Sequence, residues 1–325
     1  MKGFPSNHLT IPEKDFMRHA LIGGTTGSGK TSTASLIASQ LSKVGKVVVL
    51  DWFGEYSSRL CNYRIYVPGA ANPLPLVSGC GEGMIQMFEE VLELTPPQTY
   101  ILSKAVKGKG LLSSEGLIRA VESVHSGSRW FLESKLALLR KLEALLGSKS
   151  GKVFSAVGMN KFLESLSNAD GPLVIDLSVF RELIQKRLAA LLVLKVVEYL
   201  KLKGAVDGDV YVVVEEAHNL GFIGESLLQR LHAEVRKHGI GLLMISQSPS
   251  MFPKGVLANV NVKIYHALKL RDDLEAACRS LGEEFRECAP LLTRLHVGEA
   301  VVDAPEFPHP FTVKISPPQD PAGCF

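Results

Sequence analysis

The chain has 325 residues, of which 46% are hydrophobic and 21% charged, with a formal net charge of +3. This composition is that of an ordinary soluble globular protein, long enough for one large α/β domain or a domain plus a subdomain. It contains no internal repeat and no low-complexity tract. So small a net charge neither requires nor excludes a nucleic-acid partner, because local patches matter more than totals.

The first residues, MKGFPSNHLTIPEKDFMRH, lack the apolar core of a signal peptide. His19–Gly23 is a short apolar run that stops at glycines, and helical character follows over Thr31–Leu41. Lys46–Leu50 reads as a buried strand closed by Asp51. The segment from Gly81 to Lys161 has hardly any strand signal. Within it, Thr95-Pro96-Pro97-Gln98 has the cap, first-turn proline and third-position glutamine of a helix start. Leu132, Leu136, Leu139, Leu142 and Leu146 then recur at helical spacing, predicting an amphipathic helix with these leucines inside. Leu173–Leu177 is a strand feeding a long helix from about Arg181 to Lys203. That helix carries Lys195 and Glu198, and its apolar run is too short to span a bilayer. Val210–Val214 and Gly241–Ser246 are further strands, and the proline-rich tail after Ala304 is expected to be extended. Strands alternating with helices imply right-handed crossovers and a mostly parallel sheet. We therefore expect an α/β, RecA-like domain from residues 1–80 and 162–325, interrupted by a helical insertion over 81–161.

Five scattered cysteines, none in C-x-x-C spacing, argue against a zinc site. They point to small buried thiols in a reducing compartment and hence to a cytoplasmic location.

Gly24-Thr25-Thr26-Gly27-Ser28-Gly29-Lys30-Thr31 fits the phosphate-binding pattern G-x-x-x-x-G-K-[ST], and it lies where that pattern must lie, between a strand and a helix. Its glycines let successive backbone N–H groups point at one phosphate, and the helix N-terminus, with Ser32, adds its dipole. Lys30 is placed for the β- and γ-phosphates of ATP and the Thr31 hydroxyl for Mg²⁺. This gives a use to the two adjacent carboxylates that end the strand in VYVVVEEAHNL. Glu215 is positioned to hold the waters of Mg²⁺ and Glu216 to polarise the attacking water. Gln247, at the end of GLLMISQ, is the candidate sensor of the γ-phosphate.

RHALIGGTTGSGKT, DWFGEY, VIDLS, VVVEEAHN and RKHGIGLLMISQSPS, in this order, resemble the HerA–FtsK superfamily of P-loop ATPases, the HerA-like branch in particular. LHVGEAVVD resembles the family's C-terminal strand. The resemblance implies a homohexameric ring that hydrolyses ATP between subunits and pulls duplex DNA through its channel without sequence preference. It implies Lys30 and Thr31 as the Walker A pair, Glu216 as the catalytic glutamate and Gln247 as the sensor. It also implies Arg236 as the arginine offered to the neighbouring subunit's nucleotide. Glu215 stands where an aspartate is usual, and Ser248 where many relatives carry arginine. About 20 residues precede the first strand, so the expectation is a short form without the N-terminal β-barrel of full HerA proteins, working with a nuclease or a membrane-protein partner. Lys104, Lys107, Lys109, Lys149, Lys152 and Lys254 are the loop cations available to DNA phosphates. A conjugation- or secretion-type ATPase and a nucleotide-gated assembly switch are the alternative readings.

Overall fold

The computed structural model describes residues 10–60, 62–76, 81–109, 113–125, 128–147, 153–155, 158–221 and 238–316. Nine strands form one sheet: β1 (Ala20–Gly23), β2 (Lys46–Asp51), β3 (Arg64–Tyr66), β4 (Leu173–Asp176), β5 (Val210–Val214), β6 (Ile240–Ser246), β7 (Val262–Tyr265), β8 (Glu299–Asp303) and β9 (Phe311–Lys314). Their order is β3-β4-β2-β5-β6-β1-β7-β8-β9. The pairs β2–β5, β5–β6, β6–β1 and β1–β7 are parallel, whereas β7–β8 and β8–β9 are antiparallel. The central strands are buried along their whole length, which is why they read as unbroken valine, leucine and isoleucine runs.

The chain divides into two compact units. The first comprises Met1–Ile65, Ala169–Val174 and Gly208–Phe325. Its core joins Ile22, Ala34, Ala38, Val47, Val49, Val213, Leu243, Ile245, Ile264 and Val302, so the helix Lys30–Leu41 packs its alanines on the sheet. Each valine, leucine or isoleucine among them withdrawn from water contributes about 1.5–3 kcal/mol before ordering costs.

The second unit comprises Tyr66–Asn168 and Ile175–Asp207, and thus takes in the 20-residue helix Leu183–Leu202. Its other helices are Gly81–Val91, Pro96–Val106, Ser114–Glu122, Arg129–Leu146 and Gly158–Ser167. The start at Thr95 is as expected: Pro96 is the first helical residue and the Thr95 N–H donates to Gln98 Oε1 at 3.1 Å. The leucine stripe is not. Arg129–Leu146 buries Phe131, Leu138, Leu142, Leu145 and Leu146, while Leu132 and Leu136 are about half exposed. Two overlapping stripes at helical spacing run through this leucine-rich segment, and packing chose the one that begins at Phe131. Among the described residues, no helix is long and apolar enough to cross a membrane.

Cys278 and Cys288 overturn the expectation of separate thiols. They form a disulfide, Cα–Cα 5.7 Å, joining the helices Arg271–Leu281 and Phe285–Arg294. The ten-residue spacing carries no motif. Only the turn between the two helices brings the sulfurs together.

Candidate nucleotide-binding site

The glycine loop lies between β1 and the helix Lys30–Leu41, as its pattern requires. Gly27 and Gly29 have φ of +76° and +116°, in the left-handed region where a side chain is strained. A Cβ on Gly24 would lie 2.7 Å from the His266 Cβ, so this corner of the loop has room only for glycine. The loop is bound to its surroundings by main-chain bonds: Thr25 N–H to Ala267 O at 2.8 Å, Gly24 N–H to Ser246 O at 3.2 Å and Gly298 N–H to Ser28 O at 3.1 Å. Lys30 opens the helix and folds back, its Nζ donating to Thr25 O at 2.8 Å. Burial lowers its pKa, and the carboxylates of Glu216, Glu215 and Glu55 oppose that shift. Thr31 and Ser32 follow in the first helical turn.

The paired glutamates diverge at the tip of β5. Glu215 is 4% exposed and accepts the Trp52 N–H at 3.0 Å. Burial, then the charge of Asp51, pushes its pKa up to about 8, with the Trp52 N–H acting in the opposite sense. Asp51 is a loop-holding residue: its Oδ1 accepts the N–H groups of Phe53, Gly54 and Glu55 and its Oδ2 that of Tyr56, at 2.8–3.3 Å. It thereby staples the DWFGEY turn beside the site.

Glu216 has φ +47°, an uncommon conformation for a side-chain-bearing residue and one that recurs at functional positions. Its Oε1 accepts Gln247 Nε2–H at 2.6 Å, and Gln247 Oε1 accepts the Thr26 hydroxyl at 2.6 Å. One hydrogen-bonded chain thus runs from the phosphate loop through the tip of β6 to the tip of β5. The structure brings together Lys30, Glu215, Glu216 and Gln247 with Thr26. Arg236, Lys149 and Lys152 lie outside the described residues. Lys104, Lys107 and Lys109 lie at the end of Pro96–Val106 and in the loop after it, and Lys254 opens the helix Lys254–Asn259.

Three side chains at the site were not singled out from sequence. His218 Nδ1 is 3.1 Å from Glu216 Oε2 and 3.1 Å from Ser246 Oγ. It stands inside the quoted VVVEEAHNL, so proximity in sequence could have found it. His266 is fully buried, with Nδ1 at 2.9 Å from Glu299 O and Nε2 at 2.9 Å from Thr33 Oγ1. A carbonyl only accepts, so Nδ1 carries the proton and Nε2 accepts from Thr33. Burial lowers this imidazole's pKa to about 4, the Lys30 charge adding to the effect. It follows β7, a strand that the sequence did not reveal. Arg59 donates to Ser32 Oγ and to Glu55 Oε2, each at 3.2 Å.

These groups fit a magnesium triphosphate. The glycine turn is a main-chain cradle with a lysine at its rim. The buried Glu215–Asp51 pair is short of positive charge, which a divalent cation would supply. Among the described residues no three of His, Cys, Asp and Glu gather as an all-protein metal cage.

A mostly parallel sheet with a phosphate loop on one strand, paired acids two strands away and a polar sensor between them defines a RecA-like P-loop ATPase. Solved structures share this fold. VirB4 of Thermoanaerobacter pseudethanolicus matches with TM-score 0.70 at 18% identity over 93% of this chain and 90% of that one. The plasmid coupling protein TrwB in complex with ADP and Mg²⁺ matches with TM-score 0.68 at 16% identity over 95% and 88%. The family model described as "Helicase HerA, central domain" matches residues 8–196, and the chain belongs to the HerA family. The DNA double-strand break repair helicase HerA of Sulfurisphaera tokodaii is 26% identical over 325 residues, covering 92% of this chain and 64% of that protein. The probable helicase MJECL08 of Methanocaldococcus jannaschii is 26% identical, with 92% and 66% covered. The chain thus spans just under two thirds of the length of these relatives.

Proposed function

We propose that this chain is a Mg²⁺-dependent ATP hydrolase that works as a homohexameric ring and moves duplex DNA. The observation that carries the reading is the chain Thr26–Gln247–Glu216 beside Lys30, which links the phosphate cradle to a buried carboxylate through a sensor amide. Bound Mg²⁺ would neutralise phosphate charge and orient the triphosphate. Of this chain's residues, Gly24 to Gly29 cradle the phosphates, and Lys30 leaves the Thr25 carbonyl to meet them. Thr31 and Glu215 would hold the metal and its waters. Glu216 takes a proton from the attacking water, and Gln247 reports the phosphate to it. Arg236 serves the neighbouring subunit's site, where a planar, permanently charged group suits the γ-phosphate. One named relative is a DNA double-strand break repair helicase and the other a probable helicase, which supports DNA as the track.

The test measures ATP turnover with and without duplex DNA at low and high salt, beside the mass of the assembly with ATP. The reading expects several-fold stimulation that high salt abolishes, as phosphate contacts dictate, and a six-chain mass. Turnover indifferent to DNA with co-purification of a membrane protein would shift the reading to a secretion-type ATPase. Absence of turnover would leave only a nucleotide-gated switch.

A further inference from the structure

We infer that His218 is the positioning residue of Glu216, fixing the carboxylate against the sensor strand; the inference rests on Glu216 being the base of the hydrolysis proposed above. The two side chains are 16% and 9% exposed, so their contact at 3.1 Å is largely shielded from water. His218 Nδ1 also lies 3.1 Å from Ser246 Oγ, and that hydroxyl already accepts the Ser248 N–H at 3.0 Å. A carboxylate can only accept, so Nδ1 carries the proton, and its single N–H is shared between Glu216 Oε2 and Ser246 Oγ as a three-centre bond. Gln247 takes the other carboxylate oxygen. The carboxylate is therefore gripped from both sides by donors of two different elements, the turn after β5 and the tip of β6.

The grip has a geometric purpose. Glu216 sits at φ +47°, and its carboxylate meets Gln247 and His218 whereas that of Glu215 accepts the Trp52 N–H. A glutamate has three rotatable bonds, and without a second anchor its outer oxygen would be free to turn about the Gln247 contact. His218 removes that freedom through a short, rigid route: the Ala217 N–H donates to Ile245 O at 2.9 Å, the Asn219 N–H donates to Glu216 O at 2.8 Å, and the ring spans to Ser246. The turn is therefore tied to β6 by main chain and side chain together, and both the base and the sensor are referred to one strand end. A base must be held within a fraction of an ångström of its water to act.

The experiment compares His218→Phe, which keeps the ring and loses the donor, with His218→Asn, whose amide N–H can stand near the Nδ1 position. Turnover, KM for ATP and Kd for a fluorescent ATP analogue are measured on the full chain. The inference expects kcat to fall about 10- to 100-fold in His218→Phe, as for other partners that orient a reacting group. Kd should stay within about twofold, because the cradle is untouched, and His218→Asn should recover most of the rate. Adding His218→Phe to Glu216→Gln should cost nothing more, since the two act as a unit. An unchanged kcat, a loss seen only in Kd, or a further loss in the double variant would overturn it. Glu216→Gln alone separates the two readings. If that variant retains full turnover, the hydrolysis assignment fails whatever His218 does. If it is dead while His218→Phe is normal, only the positioning role fails.

Discussion

The middle of the sheet and its antiparallel edge serve the same loop in different ways. At the tips of β5 and β6 the contacts are made by side chains: Gln247 accepts the Thr26 hydroxyl and donates to Glu216, which His218 meets in turn, and Glu216 and Glu215 act electrostatically on Lys30. The edge beyond β7 presents main chain, with Ala267 O, Gly298 N–H and the Glu299 carbonyl bracing Thr25, Ser28 and His266. Parallel strands end together on one side, so their last side chains converge, and that is where chemistry can be assembled. An antiparallel hairpin offers a rigid wall of amides and carbonyls, which suits holding a loop in shape. The site therefore has a reactive half and a bracing half, which substitutions should separate.

The largest effect belongs to the reactive half. Glu216→Gln should lower turnover about 10²- to 10⁴-fold, the range lost with a general base. Nucleotide affinity should be retained, and steady-state assays with a binding titration check both. On the bracing side, the helix containing Cys278 packs against the one containing Cys288. Cys278→Ala opens the closed loop and should cost about 3 kcal/mol in chain-entropy terms, read by denaturant unfolding with and without reductant; reductant should bring the parent down to the variant.

A smaller loss is expected for Thr33→Val, which keeps shape but strands the His266 Nε2 acceptor in the interior. About 1–3 kcal/mol should go, again by denaturant unfolding. If stability is unchanged, the edge does not brace the loop through this imidazole.

The smallest effect is a pH profile, and it sets the two halves against each other. Glu215 has a folded pKa of about 8 against an ordinary 4.5, so the folded form keeps a proton that the unfolded chain releases. Stability from this group falls as pH rises through that window. His266 has a folded pKa of about 4 against an ordinary 6.5, so the unfolded chain takes a proton that the folded form refuses, and stability rises with pH between these values. The slopes offset each other below 6.5, and above it Glu215 acts alone. Nucleotide-free protein should lose about 1–2 kcal/mol between pH 6.5 and 8, and Glu215→Gln should flatten that decline.

Much of the reactive half was legible because it is local. The pattern from Gly24 to Thr31 encodes its own turn, and five consecutive apolar residues before Glu215 and Glu216 mark a strand end. Ser246 and Gln247 closed the next strand in the same way. The bracing half was less legible: the strand in LHVGEAVVD was expected from the family resemblance and is β8, but β7 was not. β7 contains Lys263, whose Nζ meets Asp303 Oδ2 at 3.0 Å, and that cation broke the apolar run. β3 has three residues, and β9 lies among prolines. Short edge strands carry little periodic signal, because their hydrogen bonds come from neighbours far along the chain. The helix Arg129–Leu146 shows the same limit: its existence was evident, but the face it buries was settled by its neighbours.

The sequence alone determined the phosphate cradle, the strand-ending acids and the alternation that makes a parallel sheet, since each depends on residues adjacent in the chain. Only the tertiary structure decided that Gln247 bridges Thr26 to Glu216, that His218 and His266 join the site, and that Cys278 meets Cys288. Apart from His218, these partners stand between 10 and 233 positions apart. Nothing in a local pattern specifies which distant polar group will satisfy a buried one; the packing of the strands that carry them does.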